Sequence, residues 1–357
     1  MSEEQPQPLI LVTGGTSFIA KWIIATLLSQ NYRVRTTIRP TSQHRSAEIH
    51  SALTEAGIDQ EKLSTLQIVH ADLTSDDGWS QAMEDVSYVQ HVASPFPSAP
   101  PAHEDELTVP AVEGTKRVLT AARDAGVKRV VMTSSVAAIL YGPANKSKKT
   151  FTEDNWTDLS GGNGDVTAYP KSKTLAERAA WEFMENECEG QKSGLELVSI
   201  NPVCVYGPAL GKEDSTTLHS ITELTSGNAP GIPRVQYGVV DVRDCAELHV
   251  LAMTHERAAG ERFICIGEGM MWMGEMAALL KGKLGEKGKK VPSLTLPDFL
   301  VRAVALIMPV ARLILPDLGR ERDVKGDKAR TVLGWKWKYG NEEAVMSAAE
   351  SLIKFGS

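Results

Sequence analysis

Four cysteines stand apart along the 357 residues, at Cys188, Cys204, Cys245 and Cys265. None forms a CxxC pair or a spacing that could cage a metal, which argues against a disulfide framework and leads us to expect a reduced, cytoplasmic setting. All four are expected to act as small buried hydrophobes. The 8 histidines make neither HExxH nor HxH, so no metal site is expected. No block of like charge is long enough to form a tail. Lys281–Lys290 mixes lysine with Gly and Glu and reads as a solvated loop. The opening MSEEQPQP lacks the basic and apolar segments of a signal peptide. The most apolar late stretch, Leu296–Leu315, carries Asp298, Arg302, Pro309 and Arg312, too many interruptions for a membrane span.

What the chain does contain is ordinary for a globular protein: 42% apolar and 23% charged residues, enough for a core without disulfides or metals. The net charge of −7 argues against nucleic acid or an anionic membrane as the main partner. Short apolar runs at Leu9–Thr13, Arg33–Ile38, Leu66–His70, Tyr88–Ala93, Arg129–Thr133 and Glu196–Ile200 predict strands. Helical patterns near Phe18–Gln30, His44–Ala56, Asp77–Glu84, Pro110–Ala125 and Ala168–Glu189 lie between them. This alternation predicts an α/β fold: a Rossmann-type doubly wound parallel sheet with a smaller, mostly helical C-terminal substrate lobe. Residues 1–203 and 235–267 are expected to form the dinucleotide-binding body. Residues 204–234 and 268–357 are expected to form the substrate lobe and C-terminal helices.

The first strand runs straight into TGGTSFIA and then a helix, the context of a turn whose backbone N–H groups and helix dipole meet a pyrophosphate. Gly14 fits the first position of GxxGxxG. Ser17 and Ala20 replace the second and third glycines, but both are small, and Gly15 adds local freedom. The second strand ends in VRTTIRPTSQHR, with no acid to hold a ribose 2′-hydroxyl. Arg39 stands there instead, with Arg45 nearby, and a guanidinium grips a 2′-phosphate through charge-assisted bonds, which favours NADPH. Asp72, after the third strand, has two readings: a partner of the adenine amino group, or an ordinary cap at a helix start.

KRVVMTSS puts Ser134 and Ser135 at the carboxyl end of a strand, and AYPKSK puts Tyr169 and Lys173 one turn apart on one helix face. Carbonyl reduction needs a hydride at carbon and a proton at oxygen. A phenol serves as the acid, but its ordinary pKa is about 10, and an adjacent ammonium is expected to lower it. Lys173 is placed for this and for bonding a cofactor ribose. A serine hydroxyl polarises the carbonyl as charge develops on its oxygen.

VTGGTSFIA, VRTTIR, HVASPF, PAVEGTKRVL, VVMTSS, AYPKSKTLAE, INPVCVYGP, DVRDCAELHV and KARTVLGW follow one another along nearly the whole chain. The series resembles the extended short-chain dehydrogenase/reductases, specifically the dihydroflavonol-reductase-like branch that includes microbial aldehyde and ketone reductases. The resemblance implies an NADPH-dependent enzyme acting on a small-molecule carbonyl substrate, as a monomer or homodimer. It implies Ser135, rather than Ser134, together with Tyr169 and Lys173 as the catalytic set. It also implies that Thr13, Gly14, Gly15, Ser17, Phe18, Ile19, Arg39, Asp72, Leu73, Ala93, Ser94, Tyr169, Lys173, Pro202 and Val203 hold NADPH/NADP+. Among these, Ala93 and Ser94 match the backbone passing the nicotinamide ribose, and Pro202 and Val203 match the segment that packs on the nicotinamide. The DVRD run from Asp241 to Asp244 is read as structural.

Departures from the family narrow the substrate. Flavonoid reductases carry Asn or Asp near the position of Leu140, and cinnamoyl-CoA reductases carry NWYCYGK where this chain has VTAYPKSK. A microbial reductase of apolar or aryl aldehydes and ketones is what remains. Phe299, Leu300, Ala303, Val304, Ile307 and Met308 recur at near-helical spacing. They predict either a core-facing helix or an apolar wall over the nicotinamide, and Leu140 is expected to add to that wall. The competing enzymes on this fold are a nucleotide-sugar epimerase or dehydratase and a 3β-hydroxysteroid-type dehydrogenase. From another class comes a non-catalytic NADP-binding redox sensor. Arg39 weighs against the NAD-preferring epimerases, and the intact Tyr-Lys pair against a sensor.

Overall fold

The computed structural model describes residues 7–95, 101, 103–162, 165–188, 193–213 and 215–356. The N-terminal residues 1–6, Phe96 of the HVASPF run and Glu189 at the expected helix end lie outside the described residues.

Leu9–Val12 (β1) is apolar and buried at every position, the pattern of a parallel strand covered on both faces. Its side chains alternate: Ile10 and Val12 join one hydrophobic cluster, Leu9 and Leu11 the other. Around it lies a seven-stranded sheet made with Arg33–Ile38 (β2), Gln67–His70 (β3), Val86–His91 (β4), Arg129–Thr133 (β5), Glu196–Pro202 (β6) and Arg262–Cys265 (β7). The spatial order is β7-β6-β5-β4-β1-β2-β3, with every neighbouring pair parallel. Phe18–Ser29 (α1) packs against Val242–Thr254 (α4) on one face, and Asp105–Asp124 (α2) packs against Ala168–Phe183 (α3) on the other. Each fully buried Leu, Ile or Val in these layers contributes about 1.5–3 kcal/mol. The chain leaves β1 toward β2 and β3 on one side and returns to β4 and β5 on the other. The carboxyl ends of β1 and β4 therefore flank the crevice where such sheets take ligands.

A second sheet joins Cys204–Tyr206, Gln236–Asp241 and Gly269–Trp272, and Thr150–Phe151 pairs with Asp323–Val324. Helices Thr216–Ser226, Met273–Lys283, Asp298–Ile307 and Asn341–Phe355 complete the C-terminal part.

The expected α/β class and parallel sheet are present, and the differences are local. The helix expected from Pro110 begins at Asp105, with Asp105 and Glu106 in its first turn and Pro110 inside it; acids suit the positive end of the helix dipole. Lys281–Lys290 is not a plain loop, because helix Met273–Lys283 runs into it and a short helix, Gly285–Gly288, follows. In Asp298–Ile307 the buried residues are Val301 and Ala305, whereas Phe299 is 74% and Ile307 84% exposed. Of the two readings of this stripe the core-facing one is thus not realised: the buried residues of the helix are one i,i+4 pair. No helix among the described residues is long and apolar enough to cross a membrane.

Candidate active site

The phosphate-type turn is built by two glycines that cannot be replaced freely. Gly14 has φ +72°, and a Cβ there would come within 3.1 Å of Ala93. A Cβ on Gly15 would lie 2.2 Å from Thr36 Oγ1, which is itself tied to the Val12 carbonyl at 2.8 Å. Gly14 N–H donates to Thr37 Oγ1 (3.0 Å), and Ser17 N–H returns to the Gly14 carbonyl (3.0 Å). Ser17 precedes α1 in extended conformation, and its side chain makes no capping bond. The first N–H groups of the helix thus lack the side-chain partner that caps most helices, as an anion-binding terminus requires. Phe18 and Ala20 are buried in the core cluster, so the position of the third glycine carries a small side chain inside the packing. Thr13 Oγ1 accepts from Ala93 N–H (2.9 Å) and meets His91 Nδ1 (3.1 Å), locking β1 to β4 at the crevice; Ser94 follows, half-buried.

Arg39 ends β2 exposed, and its guanidinium makes no hydrogen bond or ion pair among the described residues. Arg45 is occupied by Glu48 at 2.8 Å. Asp72 Oδ1 accepts from Thr74 N–H (2.9 Å) and Thr74 Oγ1 (2.7 Å), so of its two readings the local turn is realised. Leu73 packs on Gly114, where a Cβ would approach it to 2.9 Å.

The two serines after β5 turn opposite ways. Ser134 Oγ donates to Glu177 Oε2 at 2.6 Å, deep in the core. Ser135 Oγ accepts from Ala137 N–H (3.1 Å) and is hydrogen-bonded to the Tyr169 side chain. Geometry thus favours Ser135 over Ser134. Lys173, one turn along α3, is buried, and its ammonium donates to the Thr133 carbonyl at 3.5 Å. Burial presses Lys173 down to about 8, with the Glu177 carboxylate opposing. Burial pushes the Tyr169 phenol up, with the Ser135 hydrogen bond opposing. This reverses the expectation that the lysine lowers the phenol. Here the ammonium points at β5, and its charge is felt by His91, which burial and Lys173 together hold down to about 3. Pro202 ends β6 and Val203 is buried directly after it. Cys204 is half-buried, so it is not the fully buried core cysteine expected, and burial pushes its thiol up to about 12. Leu140 is only 5% exposed within the core cluster and offers little wall to a substrate.

One residue in the site escaped sequence reasoning. Glu177 follows Tyr169 and Lys173 by two turns and one turn on the same helix face. It is fully buried and accepts from Ser134, from Asn201 Nδ2 (2.8 Å) and from Arg262 Nε (2.5 Å). Asn201 also donates to the Ser135 carbonyl (3.2 Å). Arg262 lies over the Trp156 ring at 3.7 Å and donates to the carbonyls of Glu153 and Asn155. A carboxylate so buried is stable only because several donors satisfy it. It ties β5, β6, β7 and α3 together beneath the candidate catalytic set. The available signal was the spacing of four in YPKSKTLAE, which extends the Tyr-Lys face by another turn.

The model of the NAD dependent epimerase/dehydratase family matches residues 10–267. The chain belongs to that family. Its relatives include tetraketide alpha-pyrone reductase 2 of Arabidopsis thaliana, 36% identical over 277 residues that cover 76% of this chain and 82% of the relative. Cinnamoyl-CoA reductase CAD2 of Medicago truncatula is 30% identical over 300 residues, covering 84% and 85%. Among solved structures, the chain resembles the yeast methylglyoxal/isovaleraldehyde reductase Gre2 in complex with NADPH. The TM-score is 0.77 and the identity 27%, with 98% of this chain and 99% of that chain covered. The resemblance to dihydroflavonol-reductase-like members of the extended short-chain dehydrogenase/reductases is thereby shown.

Proposed function

We propose that this protein reduces small aryl or medium-chain aldehydes and ketones to alcohols, with NADPH as the reductant. The observation that supports the reading is the Ser135–Tyr169 hydrogen bond with Lys173 one helical turn along α3, in a sheet whose first strand runs into the Gly14–Gly15 turn. The turn, the helix end without a side-chain cap and the unpartnered Arg39 fit a dinucleotide with a 2′-phosphate. Gly14, Gly15 and the start of α1 would hold the pyrophosphate, Arg39 the 2′-phosphate, and Ala93, Ser94, Pro202 and Val203 the nicotinamide end. NADPH, when bound, supplies the hydride.

The chain's own residues do the rest. Tyr169, its phenol held in the protonated form by burial, gives its proton to the carbonyl oxygen. Ser135 donates to the same oxygen as charge gathers there. Lys173 keeps a positive charge one helical turn from Tyr169, and the phenolate left by the transfer takes its proton back from solvent.

This arrangement sets a pH dependence. Because Lys173 is held down to about 8, its ammonium is present below that value and lost above it. The log of kcat/KM is expected to be level below about pH 8 and to fall above it, well before an ordinary lysine would titrate. In Lys173→Arg the guanidinium does not titrate, so the falling limb should disappear, whatever activity remains. A limb that survived in Lys173→Arg would remove Lys173 from the reaction.

A further inference from the structure

Ser135 lies where the sheet stops holding the chain. Beyond β5, Ser134 N–H still donates to the Ile200 carbonyl of β6 at 2.8 Å. Ser135 follows in extended conformation, and a short helical turn, Val136–Ala138, begins directly after it. A residue at such a junction needs other groups to fix its direction. Two bonds come from the turn itself: Ala137 N–H donates to Ser135 Oγ at 3.1 Å, and Ala138 N–H to the Ser135 carbonyl at 3.0 Å. Both move with the turn. A third, from Asn201 Nδ2 to the Ser135 carbonyl at 3.2 Å, fastens Ser135 to β6.

Asn201 is itself held at both ends of its amide. Nδ2 also donates to Glu177 Oε2 at 2.8 Å, and Oδ1 accepts from Ser199 Oγ at 3.2 Å. Asn201, Glu177 and Ser199 are all fully buried. Both partners of Nδ2 are acceptors, so only an amide nitrogen can face them; a carboxylate would repel both and a hydrocarbon would satisfy neither. Glu177 cannot swing away, because Arg262 binds it through Nε (2.5 Å) and Nη2 (3.2 Å) and Trp181 Nε1 approaches Oε1 at 3.4 Å. The same carboxylate oxygen takes Ser134 Oγ at 2.6 Å. Glu177 therefore grips the chain just before Ser135 through Ser134, and at Ser135 through Asn201. Turning the Asn201 amide aside would strand buried acceptors, which is costly. The stakes are in the chemistry, since a reacting group displaced by about 1 Å can lose about a hundredfold in rate.

We propose that Asn201, oriented by Glu177, is a positioning residue of the reduction: it fixes the Ser135 backbone so that Oγ is directed at the carbonyl oxygen before the substrate arrives. This rests on the reductase reading and adds to it a residue that acts only through Ser135.

Asn201→Leu removes the amide at similar volume. The single-turnover rate of NADPH oxidation with benzaldehyde should fall by about tenfold, the scale of one lost hydrogen bond. The dissociation constant of NADPH should stay within about twofold. In a Ser135→Ala background the same substitution should lower the rate by no more than about twofold, because the group it acts through is gone. Equal losses in the two backgrounds, or an unchanged rate in Asn201→Leu alone, would overturn the inference. Amide hydrogen exchange reads the link without turnover. Exchange at Ala137 and Ala138 should quicken by about tenfold in Asn201→Leu, with the sheet amides of Val131 and Val198 unchanged. Uniform quickening, the mark of a merely structural residue, or none at all would overturn it. If Asn201→Leu fails to fold, Asn201→Ala carries the same expectations. In the wild type, too, the Ala137 and Ala138 amides should exchange as slowly as that of Val131, and exchange at the rate of a surface turn overturns the inference with no variant made. Failure of the reductase reading shows separately, as absence of wild-type turnover, and the exchange pattern then still decides whether Asn201 sets Ser135.

Discussion

Replacing Tyr169 by Phe is expected to lower kcat by about a hundredfold or more, the usual weight of a positioned general acid, while NADPH still binds. The hydroxyl is the only group removed, and the ring keeps its place at the head of α3. Ser135 cannot take over the proton transfer, because an aliphatic hydroxyl ionises far less readily than a phenol. Lys173 cannot either, since its ammonium is directed at the Thr133 carbonyl. Single-turnover rates with preloaded NADPH separate chemistry from product release, and fluorescence titration reports cofactor affinity. Near-normal single-turnover rates in Tyr169→Phe would remove Tyr169 as the acid.

Arg39→Asp is expected to weaken NADPH binding by at least about 1.5–3 kcal/mol, the scale of a charged hydrogen bond, with NADH affected much less. The reason is local. Arg39 stands exposed at the carboxyl end of β2 without a protein partner among the described residues, so nothing in the fold depends on its charge. An aspartate there would repel a 2′-phosphate and accept from a ribose 2′-hydroxyl instead. Dissociation constants for both cofactors, measured on wild type and variant, decide it. An unchanged NADPH-to-NADH preference would remove Arg39 from cofactor recognition.

Much of this architecture was legible before the structure. Strands β2 and β5 match their expected bounds, because each buried strand is a short apolar run ended by a turn or helix signal. The turn after β1 was readable because Gly14 and Gly15 answer to strictly local needs, a positive φ and contact with Thr36. What could not be read is what depends on distant packing. Val86–His91 starts two residues before the expected Tyr88, since its partners are set by register against β1 and β5 rather than by its own residues. The exposed face of Asp298–Ile307 followed the same periodicity as a buried one, and periodicity does not say which side finds a neighbour.

The candidate site divides in the same way. Tyr169 and Lys173 share a helix face by spacing alone, but the direction of their titration came from burial, which no motif encodes. The partners of Glu177, at Asn201 and Arg262, are 24 and 85 residues away. The pairing of Tyr141 with Asp317 spans 176 residues. Polar groups with such partners look in the sequence like any surface residue. Leu140, expected to add to an apolar wall, turns into the core for this reason, and its neighbour Tyr141 meets Asp317.

The account stands on net hydride transfer from NADPH to a carbonyl, and the most direct measurement is the decay of nicotinamide absorbance with product analysis across a matched panel. Aryl and medium-chain aldehydes and ketones should consume NADPH and yield one alcohol per cofactor oxidised, with higher kcat/KM than UDP-sugars or dihydroflavonols. Conversion of a UDP-sugar with no net consumption of cofactor, alongside inert aldehydes and ketones, would contradict the account and make the protein an epimerase on the same fold.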